Sequence, residues 1–382
     1  MNFKKIVFQA HKIIGLVTGI IIFVVAITGC CWVFKEEIES LTSKEIYVEP
    51  QSTAILTPSE VKTIAEDVFP ENTIHGAIYG KTNENIEVVF YDLEPEFYKS
   101  VFIAPYTGEI LKINDHFSGF FAFVLKGHTR LWLPAWLGEE IIAISVLLFV
   151  IIMITGFILW LPKKTKNLKH RLKFNWKKTT RWKRKNFDLH SIVGFYSIPL
   201  AIILAFTGLV MSYDWFQKSM YVTIGGEKNP TFLIPENMVS PENISASTLP
   251  IDLLLPKLKN ENPKAKSFEI HYPYNASESI YVEVTNTDGI YYDSDFLFFD
   301  QNSLEEIKSP TIYGRYEDAK IADKILRMNY DIHIGAIGGI AGKILAFLIS
   351  LTIASLPVTG ILLWYGRNYK KKKRSTKSKP ML

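Results

Sequence analysis

HKIIGLVTGIIIFVVAITG, residues 11–29, is the stretch that decides the fold. It belongs to an apolar run, Ile13–Phe34, that matches the roughly 20 residues needed to cross a bilayer. HSIVGFYSIPLAIILAFTG, residues 190–208, repeats its plan. In both, a His is followed by Gly at the fourth residue, and a Thr-Gly pair closes the run 18 residues after the His. Two more spans, Ile141–Leu161 and Ile344–Tyr365, share a tail, Gly156-Phe-Ile-Leu-Trp160 against Gly360-Ile-Leu-Leu-Trp364. Each tail again follows a Thr. His128 lies 28 residues before Gly156, and His333 lies 27 before Gly360. Self-similarity on this scale reads as a tandem duplication: span, outer segment, His, span, twice over. The fold class expected is a mainly α membrane protein, a four-transmembrane-helix bundle with two small α+β extracytoplasmic modules.

The charges are sorted in the same way. Met1–Lys12, Lys163–Lys185 and Arg367–Leu382 hold 3, 12 and 8 basic residues and no acid. They account for 23 of the 43 Lys and Arg, which leaves 20 against all 38 acidic residues elsewhere. By the positive-inside rule the three basic stretches are cytoplasmic. The expectation is a multi-pass membrane protein, in contact with lipid, with both termini in the cytoplasm. A basic run can also bind nucleic acid, but placement at span ends is what topology requires, so no nucleic-acid partner is expected. Only 2 Cys, adjacent at Cys30 and Cys31, exclude a disulfide scaffold or a Cys-ligated metal protein. Lys4 and Lys5 followed by Ile27-Thr28-Gly29-Cys30 imitate a lipoprotein signal. The run is long for a signal peptide, and Thr-Gly recurs at 155–156, 207–208 and 359–360, where no signal could stand.

These readings divide the chain into span 1 (1–34), an outer module with its His segment (35–138), span 2 (139–162), a basic loop (163–189), span 3 (190–213), a second outer module with its His segment (214–342), span 4 (343–366) and a basic tail (367–382). In the first module Thr57-Pro58-Ser59-Glu60 opens a helix expected to reach about Phe69. Strands are expected at Ile86–Tyr91, Tyr98–Ile103 and Glu109–Ile113. The second module reads as a helix over Ile251–Leu258 and strands over Ser267–Tyr272, Ser279–Thr285 and Ile290–Phe299. Neither module carries a nucleophile–base motif, a Gly-rich dinucleotide loop or a phosphate loop.

Of eight histidines, His75, His116, His170 and His271 have no repeat partner and are expected to be solvated. His11 and His190 begin spans 1 and 3 at the inner face, while His128 and His333 precede spans 2 and 4 at the outer face. Ionisable groups at membrane depth suggest function. Two imidazoles facing each other across helices are what a six-coordinate b-type haem needs. A single interfacial His would merely bond headgroups; four at two repeated offsets favour ligation. Gly15 and Gly194 lie one turn from His11 and His190 on the same helix face and leave room for a flat macrocycle. Close helix packing also uses such glycines. The outer histidines sit on a short bent segment at the surface, because a continuous helix from His128 to Leu161 would be about 50 Å long.

The His-x-x-x-Gly start of span 1, Asn186-Phe187-Asp188-Leu189-His190, the four Thr-Gly span ends and Tyr106-Thr107-Gly108-Glu109 resemble the PepSY-associated transmembrane protein family over essentially the whole chain. Members include bacterial inner-membrane ferri-siderophore reductases with two haems. The resemblance implies two bis-His haem b groups with His11, His190, His128 and His333 as axial ligands. It also implies a haem-dependent ferric-chelate reductase, with electrons passing from a cytoplasmic reductase or quinol donor to a ferric siderophore or other extracytoplasmic acceptor. Phe299-Asp300-Gln301-Asn302-Ser303 departs from the Tyr-Thr-Gly-Glu turn in the second module. Arg130 and Arg327, near the outer histidines, are candidates to pair with haem propionates or an anionic chelate; ordinary interfacial anchoring is the plainer alternative. The rival class is a non-enzymatic, membrane-anchored PepSY module that binds or regulates peptidases or signals. A third reading places another transition metal on the histidines.

Overall fold

A computed structural model describes residues 3–42, 48–164, 166, 168–238 and 250–377. Along the chain α1 (Phe3–Trp32) is followed by α2 (Lys35–Thr42), α3 (Pro58–Glu66), β1 (Ile74–Tyr79), β2 (Ile86–Asp92), β3 (Phe97–Ile103), β4 (Ile110–Asp115), α4 (Gly119–Arg130) and α5 (Ala135–Trp160). The second half continues with α6 (Lys169–Leu172), α7 (Trp182–Asp188), a π-helical turn (Leu189–Val193), α8 (Gly194–Ser212), α9 (Asp214–Thr223) and α10 (Pro250–Glu261). It ends with β5 (Ser267–His271), β6 (Ile280–Thr285), β7 (Asp295–Phe299), β8 (Glu306–Ile307), α11 (Ile321–Arg327), α12 (Asn329–Ile334), a 3-10 turn (Ala336–Gly338) and α13 (Gly339–Lys377). Two compact units result, one of Met1–Lys35, Phe123–Asp214 and Ile332–Leu382, the other of Glu36–Ala122 and Trp215–Asp331.

The first unit is helical. Four segments are long and apolar enough to span a membrane: α1, α5, the run Trp182–Ser212 and the run Ala336–Arg367. Each extends beyond the apolar window read from the sequence. Polar flanking residues such as Lys4 and Lys5 continue the backbone ladder, which hydropathy does not see. In lipid a helix satisfies every peptide group internally, so the long form is the stable one. α1 packs on α5 and α13, and α8 packs on the same two, which closes a ring of four. Each helix gives two residues to the central buried layer: Ile22 and Ala26, Phe149 and Met153, Ala201 and Ala205, Ile353 and Ala354. In the first three helices the two are spaced i, i+4, so they share one face. The alanines let the backbones approach closely, which is how helices associate where lipid removes the hydrophobic driving force.

The second unit is a single eight-stranded antiparallel sheet, ordered β4-β3-β2-β1-β5-β6-β7-β8. Strand residues alternate in burial. Ile86, Val88 and Phe90 on β2, and Ile280, Val282 and Val284 on β6, point to one face and are buried there with Val61, Ala65, Leu254 and Leu258 of α3 and α10. Each fully buried aliphatic of this kind contributes about 1.5–3 kcal/mol. α3 starts with the capping box the sequence announces, Thr57 and Glu60. The Asp252 carboxylate of α10 accepts from the Ser59 backbone N–H at 2.8 Å and from its hydroxyl at 2.6 Å, which ties the two helices together.

Two expectations change here. The modules are not separate, because β1 pairs with β5 and fuses them into one sheet. β1 escaped the sequence reading because His75 and Gly76 interrupt its apolar alternation, and a register shift between Ile74 and Gly76 accommodates them. Without that seam both strands would leave an unpaired edge. The outer His segments also leave the modules, since residues 123–138 and 332–342 belong to the helical unit.

Candidate functional site

The four repeated histidines form two pairs inside the helical unit. His11 rises from α1 and His190 from the π-helical turn, their ring centroids 6.3 Å apart. His128 on α4 meets His333 on α12 at 6.2 Å. A π turn inserts one extra residue per turn and re-aims the side chain it carries; such turns concentrate at functional sites.

Each imidazole rests on one of the four Thr-Gly pairs. His11 Nδ1 lies 3.0 Å from Thr155 Oγ1, His190 Nδ1 2.9 Å from Thr359 Oγ1, His333 Nδ1 2.8 Å from Thr207 Oγ1, and His128 Nδ1 3.3 Å from Thr28 Oγ1. The following glycine is the other half of the seat. A Cβ on Gly156, Gly360, Gly29 or Gly208 would stand 3.2–3.4 Å from Cε1 of His11, His190, His128 or His333 respectively. The sequence showed the Thr-Gly recurrence but not its purpose, because the His that uses each pair sits on another helix.

The hydrogen bonds fix a tautomer. A threonine hydroxyl has one proton, and each of these threonines gives it to the carbonyl one turn back: Thr155 to Ile151, Thr359 to Ser355, Thr207 to Ile203 and Thr28 to Val24, at 2.7–3.0 Å. The hydroxyl can then only accept from the imidazole, so Nδ1 carries the hydrogen. For His128 the Val25 carbonyl, 2.9 Å from Nδ1, imposes the same answer. Nε2 of all four rings is left with a free lone pair, the arrangement by which a partner orients a metal-ligating His. The spacing fits one shared metal ion per pair. Two bonds of roughly 2 Å, with each ring centre a further 1 Å or so beyond its nitrogen, set opposed imidazoles roughly 6 Å apart.

His11 and His190 open onto a cavity of about 1190 Å³ also lined by Gly15 and Gly194. A Cβ on Gly15 would meet nothing within 4 Å, and one on Gly194 only an ordinary contact with Leu356 at 3.5 Å. Gly15 therefore faces open space rather than a packed helix. Lys12, Arg171, Lys183 and Arg367 also line the cavity. Hydropathy reading treated them as topology signals and missed this second placement. Asn186 and Asp188 explain their motif. Asn186 donates to the Thr359 carbonyl at 3.1 Å, beside the hydroxyl that holds His190. Asp188 accepts from Trp176 at 3.1 Å and Arg184 at 2.9 Å.

The second pair is built differently. α4 ends two residues after His128, and Leu131 and Trp132 then take positive φ, 52° and 58°. α12 ends one residue after His333, with Gly335 at φ 79°. A Cβ on Gly138 would collide with the Arg130 carbonyl, and one on Gly335 with that of Gly342, so both bends need glycine. The bent segment was anticipated. Its rings, however, turn inward onto α1 and α8 rather than outward to a headgroup layer. Arg130 is the last residue of α4. Arg327 lies in the sheet unit, where its guanidinium donates to the Ser294 and Gly314 carbonyls and stacks on Phe296 and Tyr316. Its contacts hold it there, which corrects the expectation that it pairs with a propionate or chelate beside His333.

His11 and Gly29, the seat of His128, are 18 residues apart on α1. At 1.5 Å per residue the two pairs are separated by about 27 Å along the helix. The eight-residue apolar layer lies between them.

Four apolar spans with two histidine pairs near opposite ends define a multi-pass membrane protein with paired internal histidines. The family model of the PepSY-associated TM region matches residues 8–367, and the chain belongs to that family. No curated protein matches it.

Proposed function

We propose that the protein holds two b-type haems, one between His11 and His190 and one between His128 and His333, and moves electrons across a bacterial inner membrane to a ferric chelate of the siderophore class. The observation that carries this reading is the pairing of imidazoles at 6.3 and 6.2 Å, with ring planes 79° and 62° apart. The Thr-fixed tautomers, which leave every Nε2 free, support it further. A bound haem of this type supplies a one-electron Fe(III)/Fe(II) couple.

The chain's own residues supply the rest. The threonines hold each ring in its ligating orientation. Gly15 and Gly194 keep the first cavity wide enough for a planar ring. Lys12, Arg171, Lys183 and Arg367 are the cations suited to anionic propionates there, and Arg130 is the candidate at the other pair. The layer between the pairs is built from apolar side chains alone. The basic stretches support a cytoplasmic placement of the termini and of the His11–His190 end. The donor is then a quinol or a cytoplasmic reductase, and the acceptor is extracytoplasmic. One-electron reduction frees the chelated metal because Fe(II) suits hard oxygen donors less well than Fe(III). The resemblance of the sequence to ferri-siderophore reductases supports this choice of acceptor.

Absorption spectroscopy of the purified protein is the test. Expected are a Soret band, an α band on reduction, a stoichiometry of two, and reoxidation by a ferric siderophore. Colourless protein from haem-replete cells sinks the reading. Protein that stays reduced with ferric chelates but passes electrons to another acceptor removes the siderophore alone.

A further inference from the structure

We propose that His75, Glu269 and His271, on the sheet face away from α3 and α10, bind one divalent first-row transition-metal ion of the Zn²⁺ type. Nothing in this proposal depends on haem.

The three residues meet because of the β1–β5 seam. Gly76 is in register with His271, and the shift beside it turns His75 to the same face. Glu269 and His271 are two apart on β5, so both point there. One ligand atom from each of the three lies within 4.8 Å of the others, a gap that small side-chain rotations close to bonds of roughly 2.0–2.2 Å. The rings of His75 and His271 stand edge to face at 4.6 Å.

Expected as solvated, His271 is instead 8% exposed. Its ring lies flat on Tyr281, 4.2 Å away at 17°, which fixes its plane. It hydrogen-bonds the His75 backbone, while its buried Nε2 has no hydrogen-bond partner and faces Glu269 Oε1 at 3.5 Å. A buried polar atom without a hydrogen-bond partner is destabilising. A metal ion ends that cost and uses the lone pair.

Charge points the same way. Glu269 sits directly opposite Glu283 on the adjacent strand in the β5–β6 register, and Glu87 lies two strands away on β2, across Ile78 of β1. Like charges on adjacent strands repel. A cation at the histidines offsets this crowding. The cleft over the site is about 450 Å³, large enough for a hydrated ion to enter. Two imidazoles and one carboxylate suit Zn²⁺, Fe²⁺ or Co²⁺ and not Ca²⁺ or Mg²⁺, which prefer oxygen alone. Three protein ligands leave a position open for water or an exchanging donor.

The test uses tag-free, full-length protein stripped with chelator. Zn²⁺ is added by equilibrium dialysis and measured by elemental analysis. One Zn²⁺ per chain is expected, unaffected by a hundredfold excess of Ca²⁺. His271→Gln and His75→Gln should each weaken it by more than the roughly 10–100-fold that loss of an outer-shell partner causes. His75 is only half-buried, so His75→Gln remains informative if His271→Gln misfolds. Binding should persist in the His11→Ala/His190→Ala double variant. Absence of bound Zn²⁺, or parental affinity in His75→Gln, overturns the site.

Discussion

The two histidine pairs use one seat and two frameworks. Both place each imidazole on a Thr-Gly step of a facing helix, at nearly equal ring separation. The His11–His190 pair grows out of long helical segments, with Gly15 and Gly194 one turn beyond. The His128–His333 pair grows out of short helices that stop within two residues and bend through positive-φ backbone. The difference teaches that the seat, not the helix carrying the His, is the repeated element. A Thr-Gly step needs only a continuous helix, which every span has. Its partner can then arrive from a span or from a bend.

The largest effects should come from the rings themselves. His190→Ala and His333→Ala should each remove about half of the bound haem, with the untouched pair spectrally intact. If either variant emptied both pairs, the two would not be independent sites. Haem-to-protein ratio and the reduced spectrum decide this.

The seats come next. Thr359→Val and Thr207→Val keep the shape but remove the hydroxyl acceptor of Nδ1–H, leaving the Leu356 and Leu204 carbonyls. Each should weaken its own haem by about 10–100-fold. Thr28→Val should do least, because His128 bonds the Val25 carbonyl at 2.9 Å more closely than Thr28 at 3.3 Å. Haem-transfer titrations to a competing apoprotein measure these affinities. Equal losses at Thr28 and Thr359 would erase the distinction between the frameworks.

Gly15→Ala separates a cofactor cavity from close packing. The added methyl meets no protein atom, so the apoprotein should gain stability by about 1 kcal/mol from helix propensity. Haem occupancy at the His11–His190 pair should nevertheless fall, and Gly15→Leu should lower it further. Unchanged occupancy in both variants removes Gly15 from the site.

The smallest effect concerns the bend. Leu131→Gly should relieve left-handed backbone strain of about 1 kcal/mol and raise the melting temperature slightly, with the His128–His333 pair unaltered. Trp132 is the poorer choice for this test, since its indole donates to the Phe123 carbonyl at 2.8 Å and stacks on Phe123.

Much of this architecture was readable one residue type at a time. Apolar run length gives the spans, because bilayer thickness is a one-dimensional constraint on a helix. Most strands follow from period-2 alternation, and the α3 start follows from Thr57 and Glu60. The four histidines stand out by repeat offset alone. Contacts between distant elements were not readable. The β1–β5 seam joins residues almost 200 positions apart and depends on a strand whose pattern His75 and Gly76 obscure. Arg327 looked like a membrane-surface cation beside His333, yet its bonds go to two sheet carbonyls.

By itself the sequence determined that the chain has four membrane spans and which histidines stand at equivalent offsets from Thr-Gly pairs, since hydropathy and residue spacing are local properties. Only the tertiary structure decided what the equivalence is for. It sets Thr155 and Gly156 under His11, Thr359 and Gly360 under His190, and His75 against His271, because hydrogen bonds and ring contacts depend on distance in space rather than along the chain.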